Sequence, residues 1–183
     1  MAIHLTHYKK ALLVISAVSL LLVLFGYAEI QHMARANAND PQVQISEDIV
    51  SALGQNIAPQ AITGPTQVDV SKTLAPFVII YDANGTAVAS SAQIGGQIPT
   101  PPAGVFDVAK ASGENRLTWQ PNETNRFAAV IKSYQNGDTN GYVLVARSMR
   151  EVEARNREAL ELAIAAWIAM VVISAIGLKI VKV

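Results

Sequence analysis

The chain has 183 residues, 51% of them hydrophobic, and its fourteen Lys and Arg balance fourteen Asp and Glu to a formal net charge of zero. A mean hydropathy of +0.28 excludes a disordered chain, and the neutral balance excludes a nucleic-acid binder, so no polyanionic partner is expected. The absence of cysteine excludes disulfides, thiolate zinc sites and cysteine nucleophiles, and leaves both sides of a membrane open.

Residues 1–10 form a short tail ending in Lys9 and Lys10, followed by ALLVISAVSLLLVLFGYA at 11–28, eighteen residues without a charge. At 1.5 Å per residue this length crosses a hydrocarbon core of roughly 30 Å. The basic residues, the apolar run and the A-x-A sequence Ala36-Asn37-Ala38 also fit a cleaved signal peptide. The run is longer than a typical signal core, and the A-x-A lies too far past its end, so a retained span is expected. A second uncharged run, LAIAAWIAMVVISAIGL at 162–178, is a second span, extensible through Ile180 and Val181. Lys9 and Lys10 before the first span and Lys179 and Lys182 after the second place both short tails, 1–10 and 179–183, in the cytoplasm. Arg147, Arg150, Arg155 and Arg157 lie on the outer side, as a translocated domain of more than a hundred residues permits. The expected protein is thus a two-pass inner-membrane protein, with 29–148 as an extracytoplasmic domain and 149–161 as a juxtamembrane helix.

Within that domain, residues 27–39 hold no breaker and extend the first span as helix. Asn39-Asp40-Pro41 reads as a cap followed by proline in the first turn of a second helix. Ile45, Ile49, Leu53 and Ile57 recur every four residues opposite Glu47 and Asp48, which predicts one buried stripe. Residues 58–65, with Gly64-Pro65, are expected to be a loop. FVIIY at 77–81, the turn Asp82-Ala83-Asn84-Gly85 and a strand at 86–89 form a hairpin. Gly95-Gly96, Pro99, Pro101 and Pro102 then forbid regular structure, and VFDVAKA before Gly113 makes at most a short helix. Strands follow at 116–120, 126–134 and 142–147, the last two joined by a polar loop at 135–141. The order is helix, two strands, loop with short helix, three strands, helix.

This order resembles the PAS-like Cache sensor regions of bacterial two-component histidine kinases. The resemblance rests on FVIIYDANGTAVASS, the Gly-Gly and Pro-Pro loop, a Trp-bearing strand, and two long strands ending VLVARSMREVEAR before a span. It covers about residues 28–178, and its separate motifs are weak while their order between two spans is specific. It implies an α+β fold: a five-stranded antiparallel sheet with a long N-terminal helix packed behind it, flanked by two transmembrane helices. It further implies a small-molecule or envelope-stress signal read at the sheet and transmission through the second span, with a separate kinase or other signalling protein as partner. The kinase part of such proteins does not follow the second span here, and His4, His7 and His32 lie in the wrong places to accept phosphate. A stand-alone protein and the front of a truncated kinase both fit.

Steps of three and four from Met149 give Val152, Asn156, Ala159, Ala163, Ala166, Met170, Ile173 and Gly177, a heptad-like seam running from the domain into the membrane. Asn156 in such a seam fixes register, and the small residues at 159, 163 and 166 allow close helix approach. The seam serves either a homodimer, the expected oligomer, or the first span. Off it, Glu151 with Arg155, Glu153 with Arg157 and Arg157 with Glu161 are i,i+4 pairs of about 0.2–0.5 kcal/mol each, which keep an exposed helix helical.

For a ligand, Arg116, Trp119, Arg126, Lys132 and Tyr134 are the candidates, because a cation beside an aromatic ring on the middle strands suits an organic anion. Alternation puts Phe127, Ala129, Ile131 and Ser133 on one face and Arg126, Ala128, Val130, Lys132 and Tyr134 on the other. It does not say which face is the core, and Trp119 reads first as a core residue, with a pocket as the alternative. Glu114, Asp107 and Glu123 have no partner at catalytic spacing, and no HExxH, GxSxG or P-loop motif occurs, so neither an enzyme nor a metal or cofactor site is expected. The competing reading is an accessory membrane protein whose outer domain binds another envelope protein.

Overall fold

The computed structural model describes the backbone of residues 2–37, 39–137 and 139–181 and the side chains of 7–34, 39–137 and 139–181. Ala38 of the A-x-A sequence, Asp138 of the polar loop and Lys182 after the second span lie outside the described residues. The chain divides into two units, 36–151 on one hand and 1–35 with 152–183 on the other.

In the first unit, α2 (Asp40–Gly54) and the short α3 (Pro59–Thr63) precede β1 (Val68–Asp69), β2 (Phe77–Asp82), β3 (Ala87–Ser90) and β4 (Ala92–Gln93). Then come α4 (Gly104–Ser112), β5 (Glu114–Asn122), β6 (Asn125–Asn136) and β7 (Thr139–Ser148). Five strands form one sheet in the order β3-β2-β7-β6-β5, every neighbour antiparallel. β1 and β4 make a separate two-residue parallel pair. The expected α+β fold with a five-stranded antiparallel sheet is the observed one.

Both faces of the central strands β2, β7 and β6 are buried, and that resolves the question alternation left open. On one face Phe77, Ile79, Tyr81, Trp119, Phe127, Ile131 and Leu144 pack with Phe106 and Ala109 of α4. On the other, Ile80, Tyr134, Val143 and Val145 pack with Ile49 and Leu53 of α2. Strands covered on both sides read as continuous apolar runs such as FAAVI and YVLVA, which is why neither face declares itself in the sequence. Full burial of side chains such as Ile79, Ile80 and Leu144 contributes about 1.5–3 kcal/mol each.

The helix over 40–57 is shorter than expected. α2 ends at Gly54, and Ile57 is 43% exposed. Its buried residues are Gln42, Ser46, Ile49 and Leu53, so the first half of the stripe is polar and invisible to a hydrophobic periodicity. The Gln42 amide donates to the Ala128 carbonyl of β6 at 3.3 Å, and the Ser46 hydroxyl to its own helix at Val43. Asn39 precedes α2 as expected, but its side chain makes no capping bond. At the other end the Asn136 amide donates to the Leu53 carbonyl at 2.9 Å, satisfying one of the carbonyls a helix terminus leaves open.

The segment expected to be a loop at 58–65 contains α3, started by Pro59 after an extended Ala58. The loop expected at 135–141 is mostly ladder: β6 and β7 stay paired out to Gln135↔Asn140 and Asn136↔Thr139. Polar side chains there conceal a backbone pairing that hydropathy does not report. The turn after β2 forms as expected. One Asp82 carboxylate oxygen accepts from the Asn84 and Thr86 amides at 2.9 and 2.8 Å, and Gly85 takes φ +78°, where L-residues are strained.

The second unit pairs α1 (Ala2–Asn37) with the body of α5 (Arg150–Ile180). Both helices are long and apolar enough to cross a membrane. They run antiparallel: the Tyr8 hydroxyl donates to the Ala175 carbonyl at 3.3 Å and the Trp167 indole N–H to the Ser16 carbonyl at 3.1 Å. As numbers rise along α1, partners fall along α5.

Candidate functional site

The side chains of the five ligand candidates fall on both sides of the sheet. Register pairs Arg116 with Val130 and Glu114 with Lys132, so Arg116, Lys132 and Tyr134 share the α2 face. Trp119 pairs with Phe127 and lies buried on the α4 face, its ring centroid 5.9 Å from that of Phe127. Arg126 is exposed at the start of β6, and its carbonyl accepts from the Met149 amide at 2.9 Å.

Arg116 and Lys132 are engaged with carboxylates. The Lys132 ammonium lies 2.7 Å from Glu47 Oε1 of α2 and 3.4 Å from Glu114 Oε2 of β5, and the Arg116 Nε donates to the other Glu114 oxygen. The four groups join helix to sheet beside the α2 core. Burial opposes the charge on Glu114, but the Arg116 and Lys132 cations outweigh it and hold its carboxyl below the usual range. Burial likewise works against the Lys132 ammonium, and the Glu47 and Glu114 carboxylates overcome it, so its pKa is raised. Tyr134 sits among the residues under α2, its phenol pushed up by burial and then by the Asp82 charge.

Among the described residues, two of the cavities on this unit are lined by none of those four charged groups. The smaller, of about 350 Å³, lies at the end of the β6–β7 pair between Lys110, Tyr134 and Tyr142. The larger, of about 660 Å³, lies at the β3 edge of the sheet, bounded by α3, residues 64–67 and β3, and reaching Gln93 and Ile98. No charged residue lines it; its polar groups are carboxamides and hydroxyls, including Gln60, Gln67 and Gln93. The Gln60 amide donates to the Val88 carbonyl at 3.2 Å, tying α3 to the edge strand. Uncharged residues at loop positions carry no motif, so the sequence reading missed this groove; the register of β1 against β4, which brings Gln93 beside Asp69, is a tertiary fact.

The seam along α5 divides at Ala163. Met149 is buried, and Val152, Asn156, Ala159 and Ala163 are half-buried. Beyond that point the half-buried stripe runs through Trp167, Val171, Ser174 and Leu178, while Ala166 is exposed and Met170 and Ile173 are 36% and 68% exposed. A strict heptad assumes 3.5 residues per turn; a straight helix turns in 3.6 and drifts off it by one position over this length. On α1 the matching stripe includes Tyr8, Leu12, Ser16, Ser19, Val23 and Tyr27, with Ser19 only 7% exposed. Within one chain, this stripe faces the first apolar helix.

The junction between sheet and α5 is short. Only Met149 separates β7 from α5. The Arg150 amide and Nε donate to the Ser148 hydroxyl at 3.3 and 3.2 Å, Arg150 Nη2 donates to the Thr73 carbonyl at 3.2 Å, and Arg147 pairs with Glu151 at 3.4 Å.

No protein-family model matches the chain, and no curated protein matches it in sequence. Among solved structures it is similar to the ligand-binding domain of the Pseudomonas aeruginosa PAO1 amino acid chemoreceptor PctB in complex with L-Gln, at 17% identity and a TM-score of 0.48. The match covers 70% of this chain and 55% of that one, so the chain spans about half of its length.

Proposed function

We propose that the chain is a membrane-anchored extracytoplasmic sensory protein, related in design to the Cache sensor half of a bacterial histidine kinase, which passes its signal through α5. The observation that supports this reading best is the junction at Met149. A central strand of the sheet continues after one hydrogen-bonded residue into a helix that is apolar enough to span a bilayer. Only Met149 stands between the two elements in the chain, and in this reading a shift of β7 against its neighbours is what the helix passes on. In this reading α1 and α5 are two inner-membrane spans with both ends cytoplasmic, the 29–148 domain lies outside, and 149–161 is the juxtamembrane helix. A small molecule is the input, and a homodimer with a separate kinase or other signalling protein is the output machinery. The test is purified full-length protein in lipid nanodiscs, screened against a broad panel of metabolites and ions. A binding ligand raises the melting temperature and changes hydrogen exchange in 150–161; a panel without any such response counts against the reading.

A second reading, an accessory protein that docks another envelope protein, has one observation in its favour. β5 is a nine-residue strand at the free edge of the sheet, and an unpaired edge is a template for strand addition. Mild crosslinking that recovers one stoichiometric partner, lost when Thr118 is replaced by proline, favours this reading.

A further inference from the structure

We infer that the groove at the β3 edge is a binding site for a small uncharged molecule rich in hydroxyl or amide groups. This inference rests on the sensory reading and names the ligand class for it. At about 660 Å³ the groove falls within the usual size of small-molecule sites, roughly 300–1,000 Å³. Its lining contains no Asp, Glu, Lys, Arg or His, and the Asp69 carboxylate next to Gln93 in the ladder is engaged by Ser71 and Lys72, so a charged ligand would find no lining counter-charge to offset its lost hydration. A neutral ligand escapes that cost.

The polar groups present suit such a ligand. Carboxamides both donate and accept, as hydroxyls and amides do, and each can answer either polarity. The Gln67 and Gln93 side chains and the Thr66 hydroxyl make no hydrogen bond to another described residue, whereas the Gln60 amide is spent on Val88. Gln67 and Gln93 are half-buried. Pro65, Val88 and Ile98 supply apolar walls. The backbone around these groups is fixed: the Val68 amide donates to the Ser91 carbonyl at 2.9 Å and the Val70 amide to the Gln93 carbonyl at 3.0 Å.

The position connects the groove to the proposed output. β3 pairs with β2, and β2 pairs with β7 over its whole length from Phe77↔Ala146 to Asp82↔Gly141. β3 is joined to β2 through a register shift opposite Ile80/Tyr81, a bulge that gives the edge strand room to adjust. A ligand bridging α3 and β3 therefore acts with one strand, β2, between it and the strand that enters α5.

The test uses the full chain in nanodiscs. The neutral probes are glucose, N-acetylglucosamine and N-acetylglycinamide; glutamate, citrate and spermidine are the charged probes. The saccharide and amide arms distinguish the two sources of the chemistry. At least one neutral probe is expected to raise the melting temperature. Gln67→Ala and Gln93→Ala should each raise its half-saturating concentration about fivefold, the worth of one neutral hydrogen bond, without lowering the melting temperature of the free protein. Gln120→Ala, on the far edge of the sheet, should leave binding unchanged. A lack of response to every neutral probe, a response indifferent to both groove variants, or a charged probe whose binding those variants abolish overturns the inference. Hydrogen exchange over 150–161 separates the two proposals: groove binding without a change there defeats the sensory reading and leaves the site, whereas a change driven by a charged probe that ignores Gln67 and Gln93 defeats the site and leaves the sensory reading.

Discussion

Gly141 lies against the Tyr81 carbonyl with no room for a side chain: a Cβ there would overlap that oxygen and stand 3.0 Å from the Tyr134 ring. The contact locks the end of β7 to β2 while the Tyr134 ring covers it from the α2 side. Gly141→Ala is expected to destabilise the domain by about 3 kcal/mol through overpacking. Gly54→Ala, where a Cβ meets nothing within 4 Å in the last turn of a helix, should be neutral or stabilising by up to about 1 kcal/mol. Thermal unfolding of the two variants side by side checks the contrast.

The Glu47–Lys132–Glu114–Arg116 cluster gives stability a pH dependence with two limbs. The Glu114 pKa is lowered on folding, so its contribution is present above the unfolded carboxylate range and is lost as pH falls through the lowered value. The Lys132 pKa is raised, so its contribution is complete below the ordinary lysine value and is lost as pH rises through the raised one. Between those limits stability is flat with respect to both. Each limb is about 1 kcal/mol or less, because the groups are partly solvated. Glu114→Gln should remove the Glu114 share of the acid limb and leave the neutral plateau lower by a similar amount, as measured by denaturant unfolding from acid to alkaline pH.

The drift of the α5 stripe is open to direct labelling, since the chain has no cysteine of its own. Single cysteines at Ala166, Met170 and Ile173 should be accessible to a lipid-phase nitroxide or maleimide, and cysteines at Ala163, Trp167 and Val171 should be protected by α1. Protection at 166, 170 and 173 instead would restore the unbroken heptad seam and point to a second copy along that face.

What the sequence showed and what it hid follow one physical division. The two apolar helices, the β2–β3 turn at Asp82 and Gly85, and the long strands β6 and β7 were legible, because each depends on local signals: charge-free length, turn chemistry, apolar runs. The polar half of the α2 stripe was not, since Gln42 and Ser46 are buried only because β6 offers a carbonyl and α2 its own backbone. Strand pairing at 135–136 with 139–140 was hidden by polar side chains that say nothing of the backbone. In the candidate site, the basic residues were visible as charges, but their engagement with Glu47 and Glu114 required register, and the uncharged groove had no signature at all.

The junction makes its own prediction. If Met149 and Arg150 continue the hydrogen-bonded frame of β7, their amides should exchange as slowly as those of Val145 and Ala146, not at the rate of an open linker. Insertion of two glycines between Met149 and Arg150 should leave domain melting within about 0.5 kcal/mol while abolishing any ligand-dependent change in α5, a result read by hydrogen exchange on the inserted and parent chains.

The most direct measurement of the account is topology in cells. With epitope tags before Met1, after Val183 and at the exposed β5–β6 turn near Glu123, protease is added to spheroplasts with intact inner membranes. Cleavage of the Glu123 tag with both end tags protected is the predicted result. Digestion of the tag after Val183, or protection of the one at Glu123, contradicts a domain held outside between two spans.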